Sequence, residues 1–428
     1  MNLYIEPSGR RIEPFDDAPG DVHVQNRPLR EWQDEFFSPG GFTRVATITP
    51  PCLVVPDTLF TTPGALWAFV KGADHRDAVL VLKTSIHGRT TTPVQPDVEL
   101  LEGIGWRFSR IRFVTGKGET PVDVVVDPDE KILELPVPNH YVGTDKIELA
   151  FPRHPLMTLH HWVHILWANQ VAGSIELRAT PTWRFVLRGL WAALRAGSLN
   201  KWRVLAKMNT IGRGCDIHPT AIIEGSVIGD GVSVGPFARV MFSRVADRAA
   251  IMAGAQVEAC TLGEGSLVSQ ATTIRLCVLY PYAVASQYLM QQCVLGRKAV
   301  TTGGAFSMDL NFDGPIRVPL DGRLHSSNTQ FLGSAFGHGC RIGTGHWLAS
   351  GRMVPNGVFV IRDPDQVIAR IPKDLPVDRP VMLSRGGLVA LSLGTPVALS
   401  LGTPVPPGPP PPSASIAEAP PEGEREAK

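Results

Sequence analysis

The sequence predicts an α/β domain over residues 1–180, a basic helical linker over 181–208, and a long stack of short strands over 209–376. Three observations carry this. Aliphatic residues recur every six positions through much of the stretch from Ile211 to Val360. Apolar strand-like runs alternate with helical patterns before residue 200. Glycine and proline number 42 and 38 in 428 residues, about 19% together against an average near 12%. A compact helical protein would not use so many chain-turning residues, so a turn-rich or unstructured portion is expected.

Within the first part, residues 3–5, 53–55, 79–82, 111–114, 122–126 and 132–135 read as strands because their apolar runs are short and rich in β-branched residues. A helix is expected over 30–37. Another is expected over 63–70, with Thr62 as N-cap and Pro63 at its first position. Two more helical patterns cover about 156–172 and 182–196. Strand–helix–strand order argues for an α/β domain.

The linker holds Arg184, Arg188, Arg195, Lys201, Arg203 and Lys207 and no acid, while Trp183, Leu187, Leu190, Trp191 and Leu194 form an apolar face. Such a segment can join two domains, or it can lie on an anionic membrane surface. Nearby, His160, His161 and His164 fall within one helical turn. That spacing suits either packing or two ligands of a zinc site, which would still need a third.

The repeat itself is regular. Ile211, Ile217 and Ile223 are followed by Ile228, Val234 and Val240, then Val245, Ile251 and Val257, then Leu262, Val268 and Ile274, with triplets 17 residues apart. Six is neither the helical nor the strand period. It fits a short strand and a corner, three to a triangular coil, with each aliphatic residue stacked on the one a coil below. Glycines after several of these positions (Gly212, Gly229, Gly235, Gly263) are expected to supply left-handed corners. Cys260, Cys277 and Cys293 should stack in the same way. A loop around 305–330 interrupts the beat, which returns at Ile342, Leu348, Val354 and Val360. From 385 to 428 the sequence is low-complexity and proline-rich, which predicts a disordered tail.

The formal net charge of +1 excludes an overall electrostatic drive toward nucleic acid. No run of 18 apolar residues is present, the N-terminus lacks the pattern of a secretory leader, and the six cysteines form no CxxC pair. These features predict a cytoplasmic protein with free thiols.

Two stretches bear a family resemblance. Leu3-Tyr4-Ile5 followed by Pro7-Ser8-Gly9-Arg10-Arg11, then Asn26-Arg27-Pro28-Leu29 and Val54-Val55-Pro56-Asp57, resembles a shortened sugar-1-phosphate nucleotidyltransferase. The resemblance implies phosphate binding by Arg10 and Arg11 and Mg²⁺ binding by Asp57. Pro19-Gly20 stands where that family has Pro-Lys.

The segment from Gly303 to Gly314, together with the repeats, resembles the acetyltransferase half of the bifunctional glucosamine-1-phosphate acetyltransferase/N-acetylglucosamine-1-phosphate uridylyltransferases. It implies a left-handed β-helix, a homotrimer with sites between subunits, and acetyl-CoA or another acyl-CoA as cosubstrate. The second substrate would be a sugar phosphate or nucleotide sugar. Substrate or acyl-CoA contacts carry over to Asn311, Phe312 and Asp313, with Tyr288 beside them. The family's general-base histidine, which takes the proton of the attacking amine, falls on Gln287 or Tyr288. Glutamine cannot accept that proton. Gln287 would then only orient, and His338 or His346 would have to serve as base. The departures at both sites leave a second expectation, a non-catalytic trimeric scaffold or sugar-nucleotide-binding regulator.

Overall fold

The computed structural model describes residues 1–390 apart from 180, 181, 287, 378, 379 and 386. Gln287 and the tail beyond 390 therefore lie outside the described residues. One compact unit spans Met1–Arg362, and a second begins at Asp363. In the second, Val381–Ser384 pairs antiparallel with Gly387–Ala390, and the latter strand lies inside the stretch read from the sequence as disordered.

The first unit opens with a mixed sheet. Its strands lie in the order Val122–Val126, Ala78–Lys83, Gly105–Val114, Cys52–Pro56, Asn2–Glu6, Thr43–Arg44. Gly105–Val114 runs antiparallel to both neighbours, and the Asn2–Glu6 and Cys52–Pro56 strands lie side by side in parallel. Cys52–Pro56 is buried along its whole length, as expected for a strand covered on both faces. The helix Pro63–Ala73 begins at its proline with Thr62 extended. The Thr62 hydroxyl makes no cap bond and instead meets His154 Nδ1 at 3.2 Å.

The helix expected over 156–172 is divided. Leu156–Thr158 is a strand paired with Leu59–Thr61, and the helix runs Trp162–Ala179. The side chain of His164 fixes that start: its Nδ1 accepts the backbone N–H groups of His160 and His161, both at 3.0 Å. Both donors belong to the two residues that precede the helix, so these bonds fold the entering chain over its first turn.

From Thr210 the chain winds into three parallel sheets, two of eight strands and one of five. The register is the one the repeat predicts. Ile211 pairs with Ile228, Ile228 with Val245 and Val245 with Leu262. The other two columns repeat this through Ile217, Val234, Ile251 and Val268, and through Ile223, Val240, Val257 and Ile274. From Ile228 onward these side chains are buried in one core, whereas Ile211 is exposed, because it belongs to the end coil. Cys260, Cys277 and Cys293 stack inside, with Cys277 N–H 3.4 Å from Cys260 Sγ. Burial pushes the thiols of Cys277 and Cys293 well up.

The corner glycines need a correction. Gly212, Gly229, Gly235 and Gly263 are not left-handed. They are small because the next coil passes against them: a Cβ on Gly229 would lie 2.4 Å from Asp247 Oδ1, and one on Gly263 2.5 Å from Pro281 N. Left-handed corners fall instead in other columns, one of them Gly214, Gly231, Arg248, Gly265 and Tyr282 and another Gly225, Phe242, Ala259 and Leu276, each again 17 residues apart. Position in the coil imposes that backbone even on non-glycine residues.

After Phe306–Ser307 the chain leaves the stack. It forms the hairpin Arg317–Leu320 with Arg323–Ser326 and rejoins at Ala335–Phe336, which pairs with Val294 and Leu295. The α/β region packs on the coil through a shared apolar cluster. Phe15, Val24, Trp162, Ile165 and Leu166 meet Val278, Tyr280, Val294, Ile316 and Val318.

Replacing Leu262, which is fully buried in the coil, with Ala should lower unfolding stability by about 2–5 kcal/mol. The same change at Leu199, 91% exposed, should stay within about 0.5 kcal/mol. Guanidinium unfolding of the two variants compares them, and equal midpoints would contradict the stacked core.

Candidate functional site

A cleft of about 570 Å³ lies where the excursion meets the coil, and Asn311, Asp313, Arg317, Leu324, Ser350 and Arg352 are among its lining residues. Its walls are fixed from two sides. Gly351, on the coil, has φ of 71°, and a Cβ there would come within 2.7 Å of Ile316 Cγ2. The hairpin can seat closely only because that residue is glycine. Arg352 Nη1 donates to Arg317 O at 2.9 Å, which holds the guanidinium at the cleft wall. Asn311 Nδ2 donates to Gly314 O at 3.0 Å, and Asn311 Oδ1 accepts Asp313 N–H at 3.3 Å. The asparagine thus shapes the turn beneath Phe312, whose ring is exposed. Asp309, between the lining residues Met308 and Leu310, is partly buried, and burial pushes its carboxyl up.

The α/β region braces the outer side of the hairpin. His161 Nε2 lies 3.0 Å from Pro319 O, a contact that places the proton on that nitrogen. Arg10 pairs with Asp321 at 3.7 Å, and Asn328 Nδ2 donates to Arg89 O at 3.1 Å. Arg10 therefore faces a carboxylate of the excursion. Arg11 donates to Asp16 O at 2.8 Å.

Beside Arg10, at the ends of the paired Asn2–Glu6 and Cys52–Pro56 strands, charges are dense. Glu6 accepts from Arg110 Nε and Nη2 and from Arg112 Nη2 at 3.0 to 3.2 Å. Asp57 Oδ1 accepts Ser8 N–H at 3.1 Å. No group of three or more His, Cys, Asp or Glu side chains among the described residues is placed to hold a metal ion. Asp57 alone does not make a metal cage, and it could serve Mg²⁺ only where substrate phosphates completed the coordination.

His338 is not among the residues lining the cleft. It sits in the joint between the α/β region and the coil. Arg297 backbone N–H donates to its Nδ1 at 2.8 Å, and its Nε2 lies 3.2 Å from Asp17 Oδ2. Arg297 also grips Asp17 through Nη1 and Nη2 at 2.9 and 3.2 Å. Burial raises the Asp17 carboxyl, but the bonds from His338 and Arg297 outweigh it and hold the group below its ordinary value. Phe15 and His23 stack on Tyr280, whose hydroxyl oxygen accepts His23 N–H at 3.0 Å. Asn356 closes the joint by donating to Phe15 O at 2.8 Å. Tyr288 is exposed on the coil, and His346 Nδ1 lies 2.9 Å from Gly343 O.

Of the residues singled out in the sequence, Asn311 and Asp313 line the cleft with Phe312 between them, whereas Arg10, Arg11, Asp57, Tyr288 and His338 are not among its lining residues. Sequence reasoning missed Arg317, Arg352, Asp17 and Arg297. The two arginines of the cleft carry no local signal that separates them from the other charged residues of the excursion and coil, such as Asp321, Arg323 and Arg341. The Asp17–Arg297 pair joins residues 280 apart and leaves no local pattern.

No protein-family model matches the chain, and no curated protein matches it.

His160, His161 and His164 are buried, and burial is the first cause holding each of their pKa values at about 3. The charges of Arg10 and Arg110 add to it at His160. The unfolded chain takes up these protons near pH 6.5 while the folded chain resists until about pH 3. Stability is therefore full above pH 6.5 and falls as pH is lowered from there. Each histidine contributes up to about 1.4 kcal/mol per pH unit across that window. Thermal unfolding between pH 7 and pH 4 checks this, and His161→Gln should flatten the slope by one group's share.

Proposed function

We propose that the chain is a hexapeptide-repeat, transferase-like protein that binds a sugar phosphate, nucleotide sugar or acyl-CoA in the cleft beside the excursion. The observation that carries this reading is the placement of Arg317 and Arg352 in a cleft of about 570 Å³ next to Asn311 and Asp313. That volume suits a small organic ligand. Guanidinium groups suit a phosphate, and phosphate is common to all three ligand classes. Apolar Leu324 and Leu310 offer contact for a ring or an acyl chain. The motif around Asn311 and Phe312, with its resemblance to the acetyltransferase half of the bifunctional enzymes, favours an acyl-CoA as one occupant and a left-handed coil as the scaffold. Exposed Phe237, Phe242, Tyr288 and Trp347 on the coil favour a homotrimer in which a neighbouring subunit covers them. Mg²⁺ at Asp57 would enter only with a phosphate-bearing ligand.

One observation favours a non-catalytic version of the same reading. Both ring nitrogens of His338 are engaged in the joint, so that histidine is not held ready as a base. A regulator or scaffold that binds the ligand without turning it over then fits the geometry.

Calorimetry with acetyl-CoA, UDP-N-acetylglucosamine and glucosamine-1-phosphate tests the binding. At least one should bind, and Arg352→Ala should weaken it by about tenfold to a hundredfold, as expected for a charged hydrogen bond. Asp17→Asn should lower stability while leaving affinity unchanged. If none of the three binds, the reading falls. If one binds without acetyl transfer by the full chain, the non-catalytic version stands. Sedimentation showing a monomer would remove the trimer.

A further inference from the structure

The helix Thr182–Ala196 presents its apolar side to solvent. Leu194 is 74% and Trp191 64% exposed, and Trp183, Leu187 and Leu190 are also more than half exposed, whereas Ala192 on the opposite side is 2% exposed. These five large side chains follow the spacing of one helical face. Leu199 and Trp202 extend the exposed apolar surface into the next turn and the helix Lys201–Leu205. Arg184, Arg188 and Arg195 fall along one edge of the face, and Lys201, Arg203 and Lys207 follow. No acidic residue occurs between Glu176 and Asp216. Arg184 Cζ lies 5.2 Å from the centre of the Trp183 ring, and Lys201 Nζ 4.8 Å from that of Trp202.

We propose that residues 182–207 form a docking face for an anionic lipid surface, on which the helix lies parallel to the plane. Tryptophan and leucine would enter the headgroup boundary while the cations meet lipid phosphates and carboxylates. Charge complementarity selects this occupant. A two-fold contact with a second copy would bring the arginines of both helices together with no acid in the segment to pair with them. No helix among the described residues is long and apolar enough to cross a membrane, so the contact is with the surface. This site is separate from the cleft and independent of the ligand proposed there.

Flotation of the full chain with vesicles tests the proposal, using phosphatidylcholine alone and phosphatidylcholine with phosphatidylserine. The chain should float with the anionic vesicles and be released by salt. Arg184→Gln, Arg188→Gln and Arg195→Gln combined should weaken binding by about fivefold per charge, on the order of a hundredfold together. Leu190→Glu with Trp191→Ser should abolish it. Because these side chains are exposed, the thermal unfolding midpoint should stay unchanged, which separates lost binding from lost folding. Equal flotation with both vesicle types, or none with either, would overturn the proposal. So would a drop in oligomer size caused by Leu190→Glu, which would assign the face to a second copy.

Discussion

No single coil of this chain can bury its own apolar side chains, and the rest of the architecture follows from that constraint. Each aliphatic residue of the repeat is covered by its counterpart one coil away, so the pairing register must hold through the stack even where the coil length changes, from 17 residues between Leu262 and Leu279 to 16 between Leu279 and Leu295. Parallel backbone pairing then brings successive corners into van der Waals contact. That explains why Gly229 and Gly263 lack side chains, and why the left-handed backbone recurs in a column that includes Arg248 and Tyr282. An insertion is tolerated only where the chain can leave and rejoin without breaking register. The excursion between Ser307 and Ala335 does this: the pairing of Leu295 passes directly to Phe336.

The α/β region adds a second layer to the same logic. It joins the coil through a common apolar cluster, so the helix Trp162–Ala179 and the residues around Phe15 are part of the coil's outer packing. Several polar groups trapped in this joint are paired, as burial favours. Asp17 is held between Arg297 and His338, and Tyr280 accepts a backbone N–H from His23. His338, which sequence position suggests as a base, is thereby a fastening of the joint.

The cleft inherits its shape from both layers. The coil supplies its floor at Ser350 and Arg352, and the hairpin supplies its roof. The α/β region braces the hairpin from outside through His161 and Arg10. Residues first noticed for phosphate or metal chemistry in the N-terminal region thus contribute to the cleft by supporting its wall.

Much of the coil was legible in the sequence, because a contact repeated at fixed spacing writes itself into the chain as a period. The strands at Val122–Val126 and Cys52–Pro56 and the helix starting at Pro63 were likewise visible from local pattern and capping residues. The motif singled out Asn311 and Asp313, which line the cleft. Tertiary structure decided what has no period. It set the pairing of Asp17 with Arg297, the capture of His338, the convergence of Arg317 and Arg352 on one cleft, and the strand at Leu156–Thr158 where a helix was expected. It also reassigned the repeat's glycines from corner conformation to coil contact. The physical reason is the same in each case. Local sequence encodes dihedral preference and repeated contacts, whereas these features depend on which distant surfaces the folded chain presses together.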